Sequence, residues 1–220
     1  MIKAFIFDMD GVISDTQTLH LEVDKIVMRR YGITMKKEME EKIKGITDKD
    51  MFCKLQKIYG VPRDIEKAIR EKWEIMMEKA RNEDSIKPVP GAIDLINMLE
   101  QKKFKLALAS CSPSIFVETV LSKLGIKEKF EQITTGEDVQ KGKPEPEIFL
   151  LTAKKLNVAP ESCLVIEDSV NGMKAAKKAG MRCIGLVRNE KEGKPSSFYP
   201  ADFVIRDLGE IAKVMKHLTD

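Results

Sequence analysis

Three short apolar runs, Lys3-Ala4-Phe5-Ile6-Phe7, Lys105-Leu106-Ala107-Leu108-Ala109 and Cys163-Leu164-Val165-Ile166, each end abruptly in a polar turn. Inside each run no polar residue alternates with the apolar ones, so each reads as a strand buried on both faces. The second run leads toward an amphipathic stretch from Ser114 to Leu124, and the third toward a helical pattern starting near Val170. Further strands near Ile133-Thr134, Arg182 to Val187 and Phe203 to Ile205 sit in the same strand and helix context. This alternation predicts an α/β fold. It is a doubly wound, mostly parallel, Rossmann-like sheet with helices on both faces, whose ligands gather at the carboxyl ends of the strands.

One interval breaks the alternation. Residues 16 to about 83 carry only helical periodicity, over Thr18 to Tyr31, Lys36 to Ile43, Asp48 to Tyr59 and Asp64 to Arg81, with breaks at Gly32, Gly45 and Gly60-Val61-Pro62. A strand followed by such an insert predicts two units: a catalytic core of residues 1–15 and 84–220, and an all-helical cap domain of residues 16–83. The 220 residues, 43% of them hydrophobic, suffice for one good core and a small accessory unit.

The polar turns carry the chemistry. Asp8 and Asp10 in Asp8-Met9-Asp10-Gly11 leave the first strand on the same side of the chain, because strand side chains alternate with a period of two. Two carboxylates so close ask for a cation or a shared proton, and Gly11 permits a tight turn. The same four residues also occur as ordinary turn chemistry. After the second strand, Ser110, Cys111 and Ser112 stand where the start of a helix collects anions, although Ser112 or Ser114 would also serve as a plain helix cap. Pro144 holds Lys143 extended in Lys141-Gly142-Lys143-Pro144, so its ammonium projects from a loop, toward an anion or simply toward solvent. Glu167 and Asp168 close the third strand as oxygen ligands for a hard cation, with helix capping by Asp168 as the other reading.

Composition removes other classes. The net charge is +3 with basic and acidic residues interspersed, so no nucleic-acid stripe is expected. No apolar run approaches the roughly 18 residues of a membrane span, no signal-peptide pattern opens at Met1-Ile2-Lys3, and the expected location is cytoplasmic. Cys53, Cys111, Cys163 and Cys183 have neither CxxC spacing nor a metal-knuckle pattern with His20 or His217. They read as core thiols, with Cys111, beside the anion loop, the one to watch for oxidation. Lys191 to Ser197 reads as a polar surface loop.

Taken in order, DMDGV, ASCS, GKP and IEDS resemble the four motifs of the haloacid-dehalogenase superfamily, over essentially the whole chain. Val12, the helical insert and the pair Glu167-Asp168 resemble the subgroup that holds β-phosphoglucomutase and the small sugar-phosphate phosphatases. The resemblance implies an aspartyl-phosphate formed on Asp8, proton transfer by Asp10, and a phosphate cradle of Ser110 and Lys143. It also implies Mg2+ held by Asp8, the Asp10 carbonyl, Asp168 and Glu167, the last directly or through water. Asp10 argues for phosphoryl transfer, since the haloacid-cleaving relatives lack it. Cap positions Thr16, His20, Gly45, Lys49 and Lys72 match the subgroup's substrate-binding pattern. Asp48 replaces the mutase arginine that grips a second phosphate, with Lys49 next to it. The expected activity is therefore a Mg2+-dependent phosphatase for a small phosphorylated metabolite, a sugar or polyol monophosphate. The alternatives are β-phosphoglucomutase and, from another class, a catalytically silent phosphate-ester binding module. The chain is expected as a monomer or weak homodimer, without nucleic-acid or membrane partners.

Overall fold

The computed structural model describes residues 1–43, 46–82, 85–188 and 200–216. Gly45, the predicted 83/84 boundary, the Lys191–Ser197 loop and His217 lie outside the described residues. Six strands, β1 (Ala4–Phe7), β2 (Lys105–Ala109), β3 (Gln132–Thr134), β4 (Cys163–Glu167), β5 (Arg182–Leu186) and β6 (Phe203–Ile205), form one sheet among the described residues, in the order β3-β2-β1-β4-β5-β6. Every neighbouring pair is parallel. The expectation of a doubly wound Rossmann-like sheet is met.

The strand sequences explain the two faces. Phe5, Phe7, Leu106, Leu108, Leu164, Ile166, Ile184 and Leu186 project into one apolar cluster, which takes in α5 (Ala92–Gln101) and α6 (Ser114–Lys123) through Ile96, Leu99, Phe116 and Val120. The alternate positions Ala4, Ile6, Ala107, Ala109, Cys163, Val165 and Cys183 form a second cluster with α7 (Glu147–Leu156) and α8 (Val170–Lys178). The period of two thus sorts bulky side chains to one face and mostly small ones to the other, where helices pack close. Cys163 and Cys183 are buried small residues, as expected.

Among the described residues four α-helices run between β1 and α5: α1 (Gln17–Arg30), α2 (Lys37–Ile43), α3 (Asp48–Tyr59) and α4 (Ile65–Ala80). Their ends follow local signals. Thr47 caps α3 by accepting from the Asp50 N–H at 3.2 Å, and Asp64 caps α4 by accepting from the Lys67 N–H at 2.9 Å. Val23 and Val27 of α1, Phe52 of α3 and Met76 of α4 join the first apolar cluster. The last described element is α9 (Ile211–Lys216). No described helix is long and apolar enough to cross a membrane.

Since β1 lies between β2 and β4, winding reverses there, and the turns after β1 and β4 open at the same edge. Ile6 is fully buried in β1 beside β4. Ile6→Ala is expected to lower unfolding free energy by about 2–5 kcal/mol through the cavity it leaves, while Ile58→Ala, at a side chain 70% exposed, stays within about 0.5 kcal/mol. Urea denaturation of both variants checks the pair.

Candidate active site

Asp8 follows β1, and its N–H donates to the Ile166 carbonyl at 3.0 Å, so the end of β4 fixes its backbone. Gly11, at φ +93°, then turns the chain. A Cβ there would stand 2.2 Å from Asp168 Oδ2, so the close approach of the two strand-end turns requires glycine. Gly172, in the first turn of α8, has the same role for Glu167, whose Oε1 lies 1.7 Å from where a Cβ would be.

These turns place three carboxylates together. Oxygens of Asp8, Glu167 and Asp168 lie within 4.8 Å of one another. Lys143, 1% exposed, reaches in from the loop before α7, with Nζ 2.5 Å from Asp8 Oδ1, 2.7 Å from Glu167 Oε1 and 3.3 Å from the Ala109 carbonyl. The Phe149 ring lies 5.1 Å beneath the ammonium. The Ser169 N–H and hydroxyl donate to Glu167 Oε2 at 2.7 and 3.0 Å, and Ser169, not Asp168, caps α8. One ammonium among three carboxylates leaves two negative charges uncompensated, and hard oxygen donors at this spacing fit a divalent cation such as Mg2+. Asp10 does not bring its side chain to this set. Its carbonyl accepts from Gln17 Nε2 at 2.9 Å, and the same amide donates to Asp168.

The Asp10 carboxylate has its own cradle. Thr16 donates its hydroxyl to Oδ1, His20 Nε2 lies 3.1 Å from that oxygen, and the Ser112 hydroxyl donates to Oδ2 at 2.9 Å. Ser112 therefore does not cap α6, which begins after Pro113 with no side-chain cap. Ser110 is buried one layer back, its hydroxyl accepting from the Ser112 N–H at 3.1 Å, so it shapes the loop and does not line the cavity.

Charge and burial set the protonation states. Burial pushes the Asp8 carboxyl well above its ordinary value of 3.8, with Lys143 pulling against it and the other carboxylates adding to it. Burial alone would also raise Asp10, but His20 and the three hydrogen bonds hold it below 3.8. Burial disfavours a charged His20, yet Asp10 lifts it above its ordinary 6.5. Lys143 is raised well above 10.5 because Asp8 and Glu167 outweigh its burial. Burial pushes the Cys111 thiol up to about 11, so it is protonated at neutral pH and poorly nucleophilic.

All this opens onto one cavity of about 380 Å³, lined by Asp8, Asp10, Cys111, Ser112, Lys143 and Asp168 on one side and by residues of the helical insert on the other. Of the expected insert positions, His20 and Lys72 line it. Thr16 is buried behind Asp10. Lys49 is a correction. It is exposed on the first turn of α3 and does not line the cavity, whereas Asp48 does, because neighbouring helix positions differ by about 100° around the axis. Lys72 is also not free, its ammonium lying 2.7 Å from Asp24 and 2.5 Å from Asp48, which raise it above 10.5 against its burial. Gln17, Asp24 and Trp73 line the cavity without having been singled out from sequence. Asp24 stands one helical turn after His20, a spacing that would have pointed to it, whereas Trp73, directly after Lys72, had no such signal.

The geometry defines a class, and comparison with known proteins agrees. Residues 5–186 match the family described as haloacid dehalogenase-like hydrolase, and the chain belongs to that family. The phosphorylated carbohydrates phosphatase of Thermotoga maritima is 34% identical over 195 residues, covering 88% of this chain and 89% of that one. The β-phosphoglucomutase of Bacillus subtilis is 32% identical over 223 residues, covering 98% and 94%. The crystal structure of β-phosphoglucomutase from Clostridium difficile superposes over 100% of both chains with a TM-score of 0.84 and 28% identity. As an enzyme, the chain falls with the phosphoric monoester hydrolases of this family.

The His20–Asp10 pair gives a pH test. A raised His20 contributes stability in full below 6.5 and loses it as pH climbs through the folded-state value. A lowered Asp10 contributes above 3.8 and loses it as pH falls through the folded-state value. The stability gap between the wild type and His20→Asn is therefore expected to be widest between about pH 4 and 6.5, shrinking on either side. Urea titrations across pH check it, and a gap that widens above 6.5 contradicts the pairing.

Proposed function

We propose that this chain is a Mg2+-dependent phosphatase that hydrolyses a small phosphorylated metabolite, a sugar or polyol monophosphate, through an aspartyl-phosphate on Asp8. The observation that carries the reading is the meeting of Asp8, Lys143, Glu167 and Asp168 at one sheet edge, with Asp10 held separately beside them. A cavity with a nucleophile, a fixed cation and a distinct proton-carrying carboxylate suits in-line phosphoryl transfer.

Lys143 fixes the Asp8 carboxylate through Oδ1 and lowers the charge that a phosphate dianion meets on entry. Asp8 attacks phosphorus and displaces the alkoxide. Asp10 takes the proton held at His20 Nε2 and delivers it to the departing oxygen. Its carboxylate then accepts a proton from the water that cleaves the acyl phosphate and returns it to His20 Nε2, so the enzyme is restored and the sum is one ester and one water giving one alcohol and one phosphate. Mg2+ held by Asp8, Glu167 and Asp168 would offset the repulsion between the nucleophile and the phosphate oxygens. In this reading residues 16–83 act as the cap domain over a core of 1–15 and 84–220, and its closing keeps bulk water from the intermediate.

The phosphoglucomutase reading draws on the names of two of the similar proteins. It needs a cation for a second phosphate, and among the described residues the two lysines that line the cavity are each held between two carboxylates. Hydrolysis of a monophosphate is favoured on that ground.

Asp8→Asn is expected to lower turnover by a factor on the order of 10⁴ or more, since it removes the nucleophile. EDTA abolishes phosphate release from sugar and polyol monophosphates, and added Mg2+ restores it. Phosphate release that survives the substitution contradicts the assignment of Asp8.

A further inference from the structure

Gln17, the first residue of α1, turns its side chain away from its own helix. Thr16 before it makes no side-chain cap, and the Gln17 amide crosses to the core, where one nitrogen donates to the Asp10 carbonyl at 2.9 Å and to Asp168 Oδ2. A carbonyl and a carboxylate only accept, so the amide must face them with its nitrogen. A Cβ at Gly11 would stand 2.6 Å from that nitrogen and 2.2 Å from Asp168 Oδ2, so the contact fills the space the glycine leaves. The two oxygens come from different strand-end turns, after β1 and after β4, and both belong to the set expected to hold Mg2+. A glutamate at this position would have no proton to donate and would add a further anion to a set that already carries two uncompensated charges.

We propose that Gln17 is a positioning residue for the divalent cation: its amide holds the Asp10 carbonyl and the Asp168 carboxylate in place as ligands and so ties cation binding to the start of the helical insert. This rests on the Mg2+ reading above and adds to it a residue that is not itself a ligand. Carbonyl and carboxylate oxygens each have two acceptor positions, so an N–H on one does not bar a cation from the other. Donors behind the ligands orient them, and less freedom is then lost when the ion arrives. The same helix start grips the Asp10 carboxylate through Thr16 and His20. Ion and insert are therefore linked reciprocally, and whatever affinity the ion gains from a seated α1, α1 gains in order from the ion.

The test titrates cation-free enzyme with Mg2+ in the absence of substrate, by calorimetry, and follows hydrogen exchange at the His20 N–H, which closes the first turn of α1 on the Thr16 carbonyl at 3.0 Å. Gln17→Met keeps the length of the side chain and removes both donated bonds. Its Kd for Mg2+ is expected to rise by about 10- to 100-fold, while its melting temperature in EDTA shifts by about 3 °C or less. A merely structural residue would lower the melting temperature in EDTA and leave the Kd where it was. Mg2+ is expected to slow exchange at His20 in the wild type and to slow it less in Gln17→Met; equal slowing in both overturns the link to the insert. Gln17→Ala provides the same readings if Gln17→Met does not fold. Equal Mg2+ affinity in the wild type and the variants overturns the role of Gln17 and leaves the carboxylate set standing. A wild type that binds no Mg2+ removes the cation reading and this role with it.

Discussion

The ammonium of Lys143 between Asp8 and Glu167 holds the site together. Three carboxylates converge where the turns after β1 and β4 meet, and without a buried cation their repulsion would push those turns apart. Lys143 is almost fully buried, so its own desolvation must be offset, and two carboxylates, a backbone carbonyl and the Phe149 ring do so. The balance stays negative by two charges, which is what makes the site receptive to a divalent cation and keeps one carboxylate available as a nucleophile. The same logic, one layer out, isolates Asp10. Its partners are hydroxyls and an imidazole, which hold it below the ordinary carboxylate value while burial lifts Asp8, although only Met9 separates the two in the chain.

The sheet makes this convergence possible. Small residues on one face of β1, β2, β4 and β5 let α7 and α8 pack close, and Glu167 sits tight against the first turn of α8 where glycine alone fits. The reversal of winding between β1 and β4 brings two acidic turns to one edge without any long loop. The helical insert then supplies the opposite wall, and the contacts of His20 and Trp73 with Phe116, at centroid distances of 5.4 and 5.3 Å, join insert to core beside Asp10.

Much of this was legible in the chain, for a physical reason. Strand and turn chemistry is local, so the apolar runs and the carboxylates that end them announced the parallel sheet, Asp8, Asp10, Glu167 and Asp168, and the helices of the insert fell within one or two residues of their periodicity. Side-chain partnership across distant elements was not local. Ser112 had two readings as a residue after a strand, and only the approach of Asp10 separated them. Lys49 and Asp48 differ by one step around a helix, and the phase that turns Asp48 inward depends on how α3 packs on α4. Asp24 meets Lys72 because α1 lies along α4, a contact no spacing in the sequence records.

The most direct test of the account is chemical trapping of the intermediate. Enzyme and Mg2+ are mixed with a sugar or polyol monophosphate in rapid flow, quenched in acid during the first turnover, reduced with borohydride and analysed by peptide mass spectrometry. An acyl phosphate on Asp8 is reduced to homoserine, so the account predicts homoserine at position 8 alone, in proportion to substrate consumed and absent when substrate is omitted. Steady hydrolysis with an unmodified Asp8, or with the modification at Asp10, would contradict it.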